Sequence, residues 1–173
     1  MTMNMKIFLL WTFVALLTFS GAAGQENEIP RLKEQIIELQ NNGDLGFQNF
    51  ILCSSIYTFA SYVPLSEPVI EKTGSLLLYY EPLNIYTKKE DGIYEIWYTQ
   101  DMVLLNNEET VIQEWTDILE FHHRTNKPVM DVFAQNSIDF DGSIPPGKYK
   151  FKAVLKDKLR RESVTKIIDF EIR

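Results

Sequence analysis

The two histidines of this chain stand side by side as His122 and His123, and they are the first candidates for metal or acid–base chemistry. Neutral imidazole is a zinc ligand, and imidazole also titrates near neutral pH. Glu120 has the same strand parity as His122 and is the nearest carboxylate partner. Adjacent strand residues point to opposite faces, however, and a zinc site needs three or four ligands. We therefore prefer a polar strand end, with a metal-binding protein or hydrolase using His122, His123 and Glu120 as the alternative.

Two further stretches could do chemistry. The run "DFDGS" from Asp139 to Ser143 has the alternating carboxylates of a calcium loop, but Lys150 stands where the twelfth-position glutamate is required. We therefore interpret the run as an acidic turn. Cys53 is the chain's single cysteine, so an intrachain disulfide is excluded, and its apolar surroundings predict a buried thiol. The sequence thus predicts no catalytic residue, no cofactor and no metal.

Aromatic residues are numerous, with 11 Phe, 8 Tyr and 3 Trp. Many of them fall in "LLLYYEPLNIY" and "YEIWYT", which read as neighbouring strands, so alternation must place some of them on outer faces. An exposed aromatic strip can stack on sugar rings or dock a peptide. The preferred interpretation is still that these rings fill the core and the corners of the sheets.

The amino-terminal region predicts export. From Met5, the sequence shows Lys6, a short apolar run and then small residues, which is the layout of a secretory signal peptide covering residues 1–24. The apolar run is shorter than the roughly 20 residues that span a bilayer. An uncleaved anchor is the alternative; after cleavage no stable membrane insertion is expected. We expect a periplasmic or extracellular protein, with the bacterial envelope as the preferred location.

The charge balance excludes some partners. The chain carries 17 basic and 24 acidic residues, a net charge of −7. Nucleic acids and anionic membranes are bound through clustered Lys and Arg, which this composition disfavours. The one basic run, "KYKFKAVLKDKLRR", is interleaved with apolar residues in the manner of a solvated sheet face. The sequence therefore predicts no nucleic-acid partner.

Residues 25–46 are predicted to form one short helix and a linker. Ile29, Leu32, Ile36 and Leu39 are spaced 3-4-3 and make one apolar stripe. Pro30 suits the first helical turn, and a glycine at position 43 suits the position just beyond the end. A helix of this length is marginal alone in water, so its stripe must pack on something. The domain's own sheet is preferred, and another subunit or partner is the alternative, so a homo-oligomer is an open option.

Residues 47–173 are predicted to form one β-sandwich domain. After residue 46 the pattern changes to period two, in seven β-rich runs separated by turn sequences such as "KKEDG", "LNNEE" and "DGSIPPG". In the penultimate run Tyr149, Phe151, Ala153 and Leu155 share one face and lysines the other, as in antiparallel strands over a core. "IPPGKY" resembles the entry to a late strand of immunoglobulin-like and fibronectin-like sandwiches, where a tyrosine is structural. An immunoglobulin-like antiparallel β-sandwich of about seven strands is therefore the predicted fold.

The stretches "LCSSIYTFASYVPL" and "GSLLLYYEPLNI", with "PPGKYKF" and "IIDFEI" near the end, resemble a group of uncharacterised exported bacterial β-sandwich proteins. The likeness covers most of residues 50–172 and consists of fold-type motifs. In this chain "TFAS" replaces a glycine-rich turn, and "HHRTNK" stands where the group is more uniformly basic. The resemblance implies bacterial export and an all-β fold, and it brings no activity with it.

The resulting hypothesis is a non-catalytic secreted or periplasmic module that binds a protein or glycan partner, or takes part in an envelope assembly. The sequence leaves enzymatic activity open and favours a protein without it. A small metal-binding protein or hydrolase built on the histidine pair is the rival hypothesis. The binding-module hypothesis predicts exposed strand edges or an aromatic patch. The histidine-pair hypothesis predicts a concave site where the two imidazoles and Glu120 converge.

Overall fold

The computed structural model describes residues 22–173; the predicted leader therefore lies outside the described residues, apart from its last three positions. The described chain forms one helix, α1, followed by ten strands. Their bounds are α1 Ala22–Asn42, β1 Gly46–Thr58, β2 Ser61–Pro64, β3 Val69–Ile70, β4 Ser75–Leu83, β5 Thr87–Glu90, β6 Ile93–Asn106, β7 Val111–Thr125, β8 Ala134–Asp139, β9 Gly147–Asp157 and β10 Glu162–Ile172.

The strands form two sheets. The first has the order β2-β1-β4-β8, and every pairing in it is antiparallel. The second runs β3-β10-β9-β6, and β6 pairs with β9 and β5 along one edge and with β7 along the other. Among the described strands, only the contact between β3 and β10 is parallel. Within residues 22–173, β8 pairs with β4 alone and β7 with β6 alone, so both form open edges of their sheets.

The predicted mainly β sandwich is confirmed. The chain enters the second sheet at β3 and returns to the first at β4. It crosses again from β4 to β5, returns from β7 to β8, and crosses a last time to the β9–β10 hairpin. Apart from the short β3 and β5, this is an immunoglobulin-like order. Each of the seven predicted runs contains a strand, but in the run "VMDVFAQNSIDF" the strand covers only Ala134–Asp139. The three additional strands, β2, β5 and β3, have four, four and two residues, too few to show a periodicity in the sequence.

The core lies between the sheets and is built from alternate residues of β4, β6, β9 and β10. Its members share near-complete burial and include Leu76, Leu78, Tyr80, Met102, Leu104, Phe151 and Phe170. The predicted structural role of Tyr149 is also confirmed. Its ring is buried, and its hydroxyl donates a hydrogen bond of 2.7 Å to the carbonyl of Pro145, four residues upstream. This is the tyrosine corner of immunoglobulin-like sandwiches.

The helix is longer than predicted. It begins at Ala22 and ends at Asn42, so Pro30 lies inside it and not in its first turn. The residues before the proline include good helix formers such as alanine and glutamate, which extend the helix backwards. The glycine expected just beyond the end is found there as Gly43. A boundary between two compact units falls within this helix, between Ile36 and Ile37.

The side chains of the four stripe residues are exposed, whereas Ile37, outside the stripe, is buried. No helix among residues 22–173 has the length and apolar character needed to cross a membrane.

Candidate functional site

The histidine pair lies within β7, which continues past Phe121 to Thr125. In the β6–β7 ladder Trp97 is opposite His122, and Ile96 is opposite His123. The two imidazoles therefore project from opposite faces of the sheet, as strand alternation requires. Glu120 shares the outer face with His122. The structure thus brings Glu120 and His122 into one cluster and leaves His123 out of it.

The outer-face cluster is centred on Trp97. The His122 ring stacks on the indole with 4.5 Å between centroids and 19° between planes. His122 Nε2 donates to Glu95 Oε1 at 2.8 Å, since an ionised carboxylate only accepts, and Trp97 Nε1 donates to Glu120 Oε1 at 2.8 Å. Each titratable group of the cluster is therefore engaged with a neighbour on the sheet surface.

The cluster changes the pKa of Glu95. The hydrogen bond from His122 lowers the pKa of the Glu95 carboxyl, and the charge of Arg124 on the same face lowers it further. Glu95 is consequently ionised at neutral pH and holds the His122 ring against the indole. This arrangement fixes the orientation of the imidazole at the sheet surface.

His123 faces the other side, where its ring centroid is 6.0 Å from that of Phe121. Among residues 22–173, no three His, Cys, Asp or Glu side chains come together in a way that could hold a metal ion. The predicted alternative site of His122, His123 and Glu120 is therefore not assembled as one group of ligands.

Trp97 is also a poor platform for sugar stacking. His122 of β7 contacts the ring from one side, and Lys158, whose amide donates to the Trp97 carbonyl, holds its ammonium 6.0 Å from the ring centroid. β7 and the β9–β10 hairpin lie on opposite sides of β6, so both sides of the indole are approached by protein groups. A sugar ring would have to displace one of them.

The two other sequence candidates, the "DFDGS" run and Cys53, have structural roles in the fold. Asp139 accepts a 2.5 Å hydrogen bond from the hydroxyl of Ser75, and Asp141 Oδ1 accepts the Ser143 amide at 2.8 Å, which makes "DFDGS" the predicted acidic turn. Hydrogen bonds from the Ser143 hydroxyl and amide lower the pKa of Asp141. Cys53 is buried, and burial raises the pKa of its thiol, as expected of an unreactive cysteine.

A groove of about 700 Å³ lies at the side of the sandwich where β7 and β8 form the open edges. Its floor is formed by core residues, among them Leu104, Phe140 and Tyr149. Ile112 and Ile118 of β7 stand on one wall, with 45% and 41% of their surfaces exposed. The groove therefore opens the apolar core to one side of the molecule.

The opposite wall comes from β8 and the turn that follows it. Ile138, Ile144 and Pro145 supply apolar surface there, while Asp139 and Asp141 supply negative charge. No Lys or Arg of residues 22–173 lines the groove. The groove is thus lined by both apolar and polar side chains and is acidic on one wall.

The two edges that bound the groove differ in regularity. β7 has a bulge where Asp117 adopts a φ of 48°, and the ladder with β6 shifts register there. Such a bulge interrupts an edge and protects it from pairing. β8 pairs with β4 without a register shift and contains no residue of positive φ. In constant-type immunoglobulin domains a further strand, D, lies beside the counterpart of β8, and here no strand of residues 22–173 lies there.

Sequence reasoning missed this groove. The signal was available in "VIQEWTDI", residues 111–118, where Val111, Ile112, Trp115 and Ile118 place apolar side chains on both strand parities. A strand with one buried face has apolar residues on one parity only. Apolar residues on both therefore indicate either a fully buried strand or a bulged strand with surface left to cover.

Comparison with known proteins adds little to the geometry. No protein-family model matches the chain. No curated protein matches it. Among solved structures, it is similar to a family 123 glycoside hydrolase from Clostridium perfringens, described in a study of glycolipid glycan hydrolysis. The identity is 11% and the TM-score 0.46, over 76% of this chain and 27% of that one. The chain thus spans about a quarter of that hydrolase, and a likeness of this size carries no argument about function.

Proposed function

We propose that this chain is a non-catalytic binding module, exported to the periplasm or the cell exterior, that accepts an extended peptide strand of a protein partner in the groove between β7 and β8. The observation that carries the proposal is the open, regular edge of β8 next to a groove that is lined by apolar and acidic side chains and reaches core residues. Addition of a strand to an exposed sheet edge is a general mode of peptide recognition, in which main-chain hydrogen bonds give affinity.

The side chains of the groove define the partner's chemistry. A strand paired with β8 turns alternate residues toward the floor of Leu104 and Tyr149, so those residues should be apolar. Its other residues lie near Asp139 and Asp141, whose charges are not compensated by any basic side chain that the described part of the chain places in the lining. The expected partner segment is therefore a strand in which apolar residues alternate with Lys or Arg.

The histidine cluster supports the non-catalytic part of the proposal. His122, Glu95, Trp97 and Glu120 contact one another on the outer face of the sheet, where they link β6 to β7. In that arrangement the four residues stabilise the β6–β7 ladder, and no reaction is needed to account for their presence.

A displayed library of random decapeptides, selected on the purified protein, tests the proposal. The expected result is enrichment of sequences that alternate apolar and basic residues, with binding that is lost in Ile118→Asp and weakened by Asp141→Asn. The matched control is Ile167→Asp, which puts the same charge at another exposed isoleucine, on β10. Selected peptides that bind Ile118→Asp as well as the unchanged protein would show that the groove is not the site.

A further inference from the structure

The helix α1 carries a stripe of large apolar side chains that are exposed. Ile29, Leu32, Ile36 and Leu39 have 61%, 44%, 43% and 72% of their surfaces accessible. These are the residues that the 3-4-3 spacing places along one side of the helix. Apolar surface of this extent on a helix is the signature of a face that binds another surface.

The order of residue types along the stripe specifies a kind of partner. Spacings of three, four and three are those of the a and d positions of a heptad, with Ile29 and Ile36 at a and Leu32 and Leu39 at d. Isoleucine at a with leucine at d is the combination that favours two parallel strands. An identical helix therefore fits this stripe.

The flanking charges agree with a parallel pair. In this register Glu28 is a g position and Lys33 is the e position of the following heptad. In a parallel two-stranded coiled coil, a g residue lies beside the e residue of the partner's next heptad, so Glu28 of one helix faces Lys33 of the other. The next such pair is Gln35 with Gln40, which carries no charge. Both contacts are compatible with association, and one of them is attractive.

Two features outside the seam are consistent with this register. Pro30, which lies inside the helix, falls at a b position and keeps its ring away from the seam. Arg31, which pairs with Glu28 along its own helix, falls at a c position. Its contact leaves the Glu28 side chain 48% exposed and thus accessible to a lysine of a second helix.

We propose that two copies of this chain associate through α1 as a short parallel coiled coil, with Ile29, Leu32, Ile36 and Leu39 in the seam and Glu28 paired with Lys33 across it. Two heptads are fewer than the three or four of a self-sufficient coiled coil, so the dimer is weak and dependent on concentration. The stripe shares no residue with the lining of the groove between β7 and β8, so the two proposals fail independently.

Sedimentation equilibrium of protein purified from cells that express the full chain, from micromolar to millimolar concentration, tests the dimer. The unchanged protein is expected to dimerise, and Glu28→Lys and Lys33→Glu are each expected to weaken dimerisation about fivefold, because attraction becomes repulsion at both symmetric contacts. An equimolar mixture of the two variants is expected to recover the original affinity, since both contacts then join opposite charges again.

Controls keep the test specific. Ile36→Glu is expected to abolish dimerisation, whereas Glu38→Lys, the same charge reversal at an exposed c position, leaves the monomer–dimer affinity unchanged within twofold. An Ile36→Cys variant is expected to form a disulfide between copies, because parallel a positions are adjacent and the native Cys53 is buried. A protein that is monomeric at every concentration would overturn the proposal. So would a dimer indifferent to Ile36→Glu, or a mixture of charge variants that fails to recover.

Discussion

Arg160, in the turn between β9 and β10, donates a 3.0 Å hydrogen bond from Nη2 to the carbonyl of Asn41 at the end of α1, 119 residues earlier in the chain. Its guanidinium also donates to the carbonyls of Gly43 and Asn84, at 2.8 and 3.1 Å. The last carbonyls of a helix have no partner within it, and a cation there also complements the helix dipole. One side chain thus caps the end of the helix and ties residues 41–43 to the sandwich.

Removing this side chain is expected to destabilise the domain. Arg160→Met keeps the length of the stem but leaves several part-buried carbonyls without their charged donor. We expect a loss of about 2–4 kcal/mol in the free energy of unfolding. Lys166→Met, at an exposed position on β10, should change it by less than about 0.5 kcal/mol. Urea unfolding followed by tryptophan fluorescence measures both, and equal stabilities of the two variants would refute the capping role.

A buried polar chain joins the two sheets across the core. Tyr80 on β4 donates to Gln100 Oε1 on β6 at 2.5 Å, and Gln100 Nε2 donates to Asn136 Oδ1 on β8 at 3.1 Å. Tyr80 and Gln100 are fully buried, and burial strongly raises the pKa of the tyrosine, which stays protonated as a donor.

Because the Gln100 carbonyl would be left buried without a donor, Tyr80→Phe is expected to cost about 1–3 kcal/mol of unfolding free energy. Gln100→Met should also destabilise. The double variant should cost less than the sum of the two singles by about 1 kcal/mol, since the orphaned acceptor is then gone. Denaturant unfolding of the four proteins completes the cycle, and strict additivity would argue against a direct bond.

The tyrosine corner predicts a smaller effect. Tyr149→Phe keeps the buried ring but removes the hydroxyl that donates to Pro145, and we expect a loss of about 1–2 kcal/mol in the free energy of unfolding. Tyr57→Phe is the matched control, because this tyrosine is 70% exposed and should change stability little. Thermal unfolding of the two variants separates the corner from a general cost of losing a hydroxyl.

The contact between His122 and Glu95 predicts a pH effect. The pKa of Glu95 is lowered mainly by the hydrogen bond from His122, so its folded value lies below its ordinary value of 4.5. The contact therefore stabilises the fold above about pH 4.5 and loses that effect as the pH falls through the lower, folded pKa. His122→Ala should move the Glu95 titration midpoint upward. Carboxyl carbon chemical shifts followed by NMR measure it, and an unchanged midpoint would contradict the contact.

The sheets could be predicted from the sequence because alternation extends over long strands. In β9 the buried Phe151 and Leu155 alternate with the more exposed Lys150 and Lys152, so one strand alone reveals its core face. β5 could not be predicted, because its residues Thr87–Glu90 are mostly charged and their strand conformation comes from pairing with β6. A strand of four residues is too short to show an alternating pattern in the sequence.

The candidate site was only half predictable. Alternation was sufficient to separate His122 from His123 once the strand was assumed to continue. The stacking of His122 on Trp97 depends on the register of the β6–β7 ladder, and the bulge at Asp117 shifts that ladder. The groove depends on which strand edges are left open, and open edges follow from the order of strands in both sheets rather than from any local pattern.

The most direct test of strand addition at β8 is amide hydrogen exchange with and without a selected decapeptide. Our account predicts that amides of β8 not already bonded to β4 gain protection on binding, while those of β2, the other edge of the same sheet, exchange as before. Protection confined to β8 and the wall of Ile112 and Ile118 would establish the groove as a strand-binding site. Protection at β2 alone, or peptide binding without any change in β8, would contradict it.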